Sequence, residues 1–203
     1  MAADKTGETP ADVAGGEGEP IRVASPFEPR LVEELKIGDH LLISGSIYVA
    51  RDAAHERLTR ALDRGEELPF DIAGQTIYYA GPSPARPGRL IGSVGPTTSA
   101  RMDTYTPRLL AAGLRAMIGK GKRSPAVREA LRRHRAVYCT ATGGAGALIS
   151  RSVKKVQVVA YGDMGPEAVL LLEVEDLPAI VANDVHGRDL FEEGRVMYQG
   201  HRR

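Results

Sequence analysis

The chain has 203 residues, and 42% of them are hydrophobic, which is enough to bury the core of one compact domain. Its 27 Lys and Arg residues nearly balance its 26 Asp and Glu residues, which leaves a formal net charge of +1. This charge is too small to draw the whole chain onto nucleic acid or an anionic membrane. The single cysteine, Cys139, excludes an internal disulfide. It also cannot alone hold zinc or an iron–sulfur cluster, because those sites need several thiolate or imidazole ligands.

The two ends of the chain differ in composition from its middle. Residues 1–20 are rich in Gly, Pro, Ala and acidic residues and contain no aromatic residue, so we expect a disordered tail. This stretch lacks the basic and apolar regions of a secretory signal, and no apolar run approaches the length of a membrane span. We therefore expect a cytoplasmic protein without a membrane partner, with one domain over residues 21–195 and a mobile basic end over residues 196–203.

Apolar periodicity and turn residues predict alternating strands and helices in the first half of the domain. Residues 40–50, HLLISGSIYVA, are rich in β-branched residues and predict a strand with a bend at Gly45. Apolar residues at helical spacing predict a helix over residues 51–65 with Asp52 as its N-cap. The shorter predicted elements are a strand over 21–24, a helical turn or ordered loop over 31–36, and a strand over 76–80.

The second half continues the alternation. The apolar run 90–94 reads as a strand that leads, through a turn, into a helix over 104–117. Ser124 followed by Pro125 predicts the start of a helix that ends near His134. The remaining predicted elements are a strand over 136–142, a short helix from the GGAG sequence at 143–146 to residue 149, and strands over 156–160, 168–175 and 179–184, the last two joined by a turn at 176–178. This mixture predicts an α/β domain.

The turn GPTTSARMD, from Gly95 to Asp103, is the strongest candidate for a functional site. Thr97 and Thr98 offer two hydroxyl groups that can donate, accept or relay a proton. Arg101 follows three residues after Thr98 and carries a planar group that suits a carboxylate. The alternative is a helix cap, in which Thr98 or Asp103 simply binds free backbone amides.

Other basic residues could face an anion or could simply be solvated. Arg51 stands where a strand ends and a helix begins, a position that favours anion binding. The loop IGKGKRS, residues 118–124, could face a phosphate or carboxylate, although Lys-Gly mixtures are also ordinary exposed turns. Basic residues also cluster over positions 115–135, but no aromatic residue interleaves them before Tyr138, which argues against an RNA-binding face. His55 is read as a packing or capping residue.

Four segments together resemble one family. They are SGSIYVARDAAHERL from Ser44, YYAGPSP from Tyr78 with the GPTTSARMD turn, IGKGKRS from Ile118, and EVEDLPAIVANDVHGRDLF from Glu173. This set is similar to the β subunit, or C-terminal domain, of the class I iron–sulfur fumarases and L-tartrate dehydratases. The resemblance spans roughly residues 21–195 and implies a swivelling β/β/α domain.

The resemblance also implies half of a shared active site. In that family a labile [4Fe–4S] cluster is held by three cysteines of the α part, and its open iron binds the substrate. The resemblance implies that this chain pairs with an α subunit in an α2β2 assembly and that the assembly acts on a small dicarboxylate. Matched motif by motif, the resemblance makes Arg51, Arg101 and Lys120 carboxylate-binding residues and gives Thr97, with Thr98 beside it, a part in proton abstraction.

One departure from the family leaves the substrate open. The family loop usually reads KGN where this chain has Lys120-Gly121-Lys122, which adds a cation at or near the site. The leading hypothesis is reversible hydration of fumarate to L-malate, and the alternative within the same class is dehydration of L(+)-tartrate to oxaloacetate. Substrates that differ by a hydroxyl or a methyl group are separated only by pocket contacts. A non-catalytic anion-binding or RNA-binding domain is the alternative from another class.

Overall fold

The computed structural model describes residues 19–85 and 87–199. Within them, seven strands form one sheet. Most of these strands are short, whereas the second and the last are long and each pairs with three other strands. The strands are β1 (Ile21–Ser25), β2 (His40–Val49), β3 (Thr76–Tyr78), β4 (Ala116–Gly119), β5 (Val137–Thr140), β6 (Val153–Ala160) and β7 (Val169–Asn183).

The helices lie between the strands and at the C-terminal end of the described chain. They are α1 (Pro29–Glu34), α2 (Asp52–Asp63), α3 (Thr106–Ala111), α4 (Pro125–His134), α5 (Gly146–Ile149) and α6 (Leu190–Gln199), with 3-10 turns at Ser99–Met102, Ser150–Ser152 and Gly162–Glu167. The structure therefore confirms the predicted mixed α/β class. The predicted disordered tail lies almost wholly outside the described residues, as do residues 200–203 of the predicted C-terminal end, whose residues 196–199 belong to α6.

The strand pairings close a ring. Strands β1 to β5 lie in chain order and pair in parallel. The long strand β7 pairs antiparallel with β2 along one side and with β5 and β6 along the other. The path β2–β3–β4–β5–β7 thus returns to β2, while β1 and β6 extend it as branches. Because β2 to β5 are parallel, their carboxyl ends meet at one edge.

Two apolar clusters fill the two faces of this sheet, because successive side chains of a strand point to opposite faces. In β4, Ala116 and Ile118 belong to one cluster and Met117 belongs to the other. In β5, Val137 and Tyr138 divide in the same way. The first cluster includes the inward residues of β2 and β7, and the second packs against α2, α3 and α4.

Several predicted elements are confirmed with their physical signals. β2 and α2 occupy the predicted stretches. Helix α4 begins at Pro125, and the Ser124 hydroxyl accepts a hydrogen bond from the Val127 amide at 3.4 Å, as an N-cap does. The bend predicted at Gly45 coincides with a shift in the β2–β7 register, and its φ of 109° suits glycine. A Cβ at this position would lie 2.3 Å from the Ser25 carbonyl oxygen.

Other boundaries were wrong. The helix predicted over 104–117 ends at Ala111, and Gly113, with a φ of 106°, turns the chain into β4. Residues 90–94 form no strand. The turn predicted at 176–178 is instead an irregularity within the continuous strand β7, at Asp176 with a φ of 50°. Short runs buried on both faces lack a period that would separate strand from helix, which explains the missed β4.

No helix within the described part of the chain is long and apolar enough to span a membrane.

Candidate anion site at the carboxyl edge of the sheet

The GPTTSARMD turn forms backbone hydrogen bonds with residues at the carboxyl ends of the parallel strands. The Thr97 amide donates to the Tyr79 carbonyl, just beyond β3, at 2.7 Å. The Lys120 amide, just beyond β4, donates to the Thr97 carbonyl at 3.2 Å, and the Ser99 amide donates to the Lys120 carbonyl at 2.9 Å. The turn therefore lies between the ends of two strands rather than on a free loop. Thr97 and Lys120, which are 23 positions apart, become neighbours in this way.

Arg101 connects this turn to the start of α2. Its Nη2 atom lies 2.7 Å from Oδ2 of Asp52, and its Nη1 atom donates to the Thr97 hydroxyl at 3.4 Å. The Arg101 side chain is 54% exposed, so it can still reach a ligand from this anchored position. The prediction that Asp52 caps α2 was wrong, because Arg51 occupies the N-cap position and the Asp52 carboxylate pairs with Arg101 instead.

Arg51 reaches the same edge from the end of β2. Its guanidinium group forms an ion pair with Glu167, the last residue of the 3-10 turn before β7. It also packs on Gly81, where an added Cβ would overlap the guanidinium group. Any larger residue at position 81 would therefore displace the Arg51 guanidinium group. No local pattern indicates Glu167 as the partner of Arg51, because this contact joins residues that are 116 positions apart.

The backbones of Lys120 and Thr98 form an isolated bridge, whereas neither side chain is paired with another side chain that the structure describes. Lys120 is exposed and forms no ion pair with any other residue that the structure describes. Its Cδ atom lies near Gly143, where an added Cβ would be 3.6 Å away. Thr98 is exposed, and its hydroxyl does not cap the following 3-10 turn. The alternative of a simple cap therefore fails for Thr98, whereas Asp103 does bind a backbone amide, that of Ser124, at 2.7 Å.

Three buried tyrosines form hydrogen bonds with the turn or with residues that flank it. The Tyr78 hydroxyl donates to the Val94 carbonyl at 2.7 Å. The Tyr79 hydroxyl lies 3.3 Å from that of Thr106, and the Tyr138 hydroxyl lies 2.9 Å from that of Ser99. Burial raises the pKa of Tyr78 and of Tyr138 well above the ordinary value, so both remain neutral hydrogen-bonding groups. Their positions in strands and motifs did not indicate these hydroxyl contacts, because each contact joins residues that are far apart in the sequence.

The IGKGKRS loop divides between surface and interior. Lys120 and Lys122 are exposed. Arg123, in contrast, has a fully buried side chain that donates from Nε to Oδ1 of Asp103 at 2.7 Å. Its position in a loop with two lysines suggested a residue that faces an anion, and the structure corrects this for Arg123. Glycine-lysine composition does not reveal that one cation of the run has an acidic partner 20 positions earlier.

His55 packs beneath Arg51. It is completely buried, and its Nδ1–H donates to the Arg51 carbonyl at 2.8 Å. Its ring lies 5.1 Å from that of Tyr79 in an edge-on arrangement. Burial, with the nearby positive charge of Arg123 as a smaller cause, lowers the pKa of His55 to about 4. The prediction of a packing or capping residue is confirmed, since this neutral ring stabilises the first turn of α2.

The iron–sulfur cluster implied by the resemblance does not fit the side chains that lie within the described residues. Cys139 is completely buried within β5, and burial raises the pKa of its thiol to about 12, whereas a ligand must be a thiolate. Among the described residues, no three His, Cys, Asp or Glu side chains come together as a metal would require. The side chains that the structure describes therefore offer no ligand set for such a cluster.

Internal ion pairs engage most arginines of the basic stretch 115–135. The arginines of α4 face acidic partners: Arg128 contacts Asp189 and Glu192, while Arg132 and Arg133 contact Glu129. The same holds for other arginines of the stretch, with Arg135 paired to Glu33 and Arg123 paired to Asp103. These pairs reduce the positive charge that the arginines of the stretch could offer a nucleic-acid backbone, while Lys120 and Lys122 remain exposed.

The chain belongs to the fumarase C-terminus family, whose model matches residues 3–194. It is 39% identical to the aerobic class I fumarate hydratase of Salmonella typhimurium over 184 residues, which are 88% of this chain and 32% of that enzyme. It is 36% identical to fumarate hydratase 2 of Leishmania major over 162 residues, or 79% of this chain and 28% of that protein. These matches confirm the family resemblance.

A relative of similar size also matches. The chain is 40% identical over 168 residues to a protein of Methanocaldococcus jannaschii named "Putative L(+)-tartrate dehydratase subunit beta". The match covers 80% of this chain and 86% of that protein. In contrast, the chain spans only about a third of the length of the first fumarate hydratases that it matches. The chain therefore corresponds to one part of those longer proteins.

Proposed function

We propose that this chain supplies the β-type half of a hydro-lyase active site that acts on a small dicarboxylate. The observation that carries the proposal is the convergence of Arg51, Thr97, Thr98, Arg101 and Lys120 at one sheet edge. These residues come from three separate segments of the chain. The names of the relatives support the reaction class, since they are hydratases and a dehydratase subunit.

The cations suit a dicarboxylate substrate. Arg51 and Arg101 offer planar guanidinium groups that can bind a carboxylate through two hydrogen bonds, and Lys120 adds a third positive charge. When water adds to a dicarboxylate alkene, or leaves a hydroxy acid, charge develops toward one carboxylate. Cations fixed in advance stabilise that developing charge more than they stabilise the ground state, and this difference accelerates the reaction.

Thr97 is the proposed proton acceptor, with the neighbouring Thr98 as the other candidate. A threonine hydroxyl is a weak base at its ordinary pKa, so this role requires stabilisation of the deprotonated oxygen. Arg101 is placed to give it, because its Nη1 atom donates to the Thr97 oxygen at 3.4 Å. Asp52 holds the other side of the same guanidinium group. Arg101 would then serve both the substrate and the proton transfer.

The other half of the site would come from a partner. We propose that an α-type chain holds the [4Fe–4S] cluster and closes against this edge, in an α2β2 assembly in the cytoplasm. Support comes from the match to a tartrate dehydratase β subunit and from the lack of suitable cluster ligands among the described residues. The swivelling β/β/α domain type belongs to the same proposal, because movement of this domain against the partner would open and close the shared site.

Fumarate and L-malate are the proposed substrate pair, following the fumarate hydratases matched over 88% of this chain. L(+)-tartrate, giving oxaloacetate, is the second candidate. It is favoured by the relative of which this chain covers 86%. The exposed Lys122 is the feature most able to shift the preference, because it adds a charge near the site where the family usually has asparagine.

An anaerobic activity assay tests the proposal. The chain is purified alone and after co-expression with a three-cysteine α-type subunit, and rates are measured on fumarate, L-malate and L-tartrate. We expect turnover only in the co-expressed sample. A complex that is active on L-tartrate but inactive on L-malate would show that tartrate, and not fumarate, is the substrate. Failure to form any complex, together with tight salt-sensitive RNA binding, would instead support the non-catalytic alternative.

A further inference from the structure

Arg123 joins the two segments that carry the anion site. Its Nε atom donates to Oδ1 of Asp103 at 2.7 Å, and its Nη2 atom donates to the Thr106 hydroxyl at 2.8 Å. The other oxygen of Asp103 accepts the Ser124 amide at 2.7 Å. Asp103 ends the turn that contains Thr97 and Arg101, whereas Arg123 and Ser124 end the loop that contains Lys120. The pair therefore ties one segment to the other.

Two aromatic rings enclose the same guanidinium group. The Arg123 Cζ atom lies 4.9 Å from the ring centre of Tyr138 and 5.3 Å from that of Tyr79. The Tyr138 hydroxyl donates to the Gly121 carbonyl at 2.9 Å. Since a hydroxyl has one hydrogen, Ser99 must be the donor in its 2.9 Å contact with Tyr138. The ring thus connects the Lys120 loop to the turn a second time.

A buried ion pair of this kind is a weak source of stability. Removing a guanidinium group and a carboxylate from water is costly, and apolar side chains of similar volume often stabilise a core equally well. The pair does fix the position of the Arg123 guanidinium group, because two hydrogen-bond acceptors and two aromatic rings enclose that group. That position fixes the loop on which Lys120 stands relative to the turn with Thr97.

We infer that Arg123 is a positioning residue for the anion site. It keeps Lys120 at a fixed distance from Thr97 and Arg101, through the backbone hydrogen bonds that Thr97, Ser99 and Lys120 exchange. Arg123 itself touches no substrate, because its side chain is completely buried. The inference rests on the proposed function for its effect on turnover, but its effect on the backbone can be measured independently.

The first experiment compares the steady-state kinetics of variants in the co-expressed complex. Arg123→Met should lower kcat/KM by about 10- to 100-fold, mainly by raising KM, because a displacement near 1 Å is enough for such a loss. Arg123→Lys should fall between Arg123→Met and the native chain, since lysine keeps the charge but not the planar contacts. Leu131→Ala, which opens a cavity under α4, is the control, because it destabilises the core while removing none of the hydrogen bonds of the network.

A double variant separates positioning from stability. Arg123→Met combined with Asp103→Asn removes both buried charges and should recover much of the melting temperature lost in Arg123→Met. If Arg123 is a positioning residue, KM stays raised in the double variant. Recovery of KM along with the melting temperature would overturn the inference, and so would an equal rise in KM in Leu131→Ala.

Hydrogen exchange of the full chain gives a readout that does not need activity. The amides of Thr97, Ser99 and Lys120 should exchange at least tenfold faster in Arg123→Met, whereas Leu131→Ala should not accelerate them selectively. Unchanged exchange at these amides would overturn the inference whatever the kinetics. Selective acceleration in a chain that shows no turnover with any partner would uphold the role of Arg123 and reject the proposed function.

Discussion

Replacing Arg101 by alanine separates the proposed function from the stability of the fold. The Arg101 side chain is 54% exposed and, among the described residues, its only ion pair is with Asp52. An exposed pair contributes about 0–1 kcal/mol to the free energy of unfolding. Loss of a charged hydrogen-bonding partner from a bound ligand costs about 2–5 kcal/mol. At about 1.4 kcal/mol for each tenfold change, kcat/KM should fall by about 30-fold to several thousand-fold.

The assay follows fumarate hydration by the co-expressed complex, with the melting temperature measured on the same samples. Arg108→Ala is the matched control, because Arg108 is also exposed and pairs with Asp63 at the other end of α2, at 2.9 Å. It should lose as little stability as Arg101→Ala and keep native kinetics. Native kinetics in Arg101→Ala, or an equal loss in Arg108→Ala, would refute the assignment of Arg101 to the site.

Three further predictions follow from the described contacts. Asp52→Asn should lower kcat/KM because Arg101 loses its anchor, with Asp63→Asn as the unaffected control; a fall in KM would show instead that Asp52 competes with substrate. His55 is held neutral, because its pKa is lowered from 6.5 to about 4. Between these pH values the unfolded chain binds a proton that the folded chain does not, so the free energy of unfolding should fall by on the order of 3 kcal/mol as the pH drops through this window. Denaturant titrations at several pH values should show this decrease in the native chain and not in His55→Leu. Cys139→Ser should cost about 1–3 kcal/mol of stability because it buries a hydroxyl, and it should leave the iron content of the complex unchanged. Loss of iron would contradict the reading of Cys139 as a buried apolar residue of β5.

The sequence by itself determined the elements whose signals are local. The β-branched run of β2, the apolar spacing of α2 and the Ser-Pro start of α4 depend on residues a few positions apart, and each was found in the predicted place. The family resemblance has the same origin, since it rests on short motifs in a fixed order, and the comparisons confirmed it. The predicted roles of the site residues remain predictions.

The tertiary structure alone decided which groups meet. Residues 116–119 became a strand because β3 and β5 flank them on both sides, not because of their own pattern. The pairing of Asp52 with Arg101 and that of Asp103 with buried Arg123 each join separate segments of the chain. The local sequence around a charged residue does not show whether its side chain faces water or a partner that is distant in the sequence. Only the closed sheet, which brings the ends of β2, β3 and β4 to one edge, sets those partners.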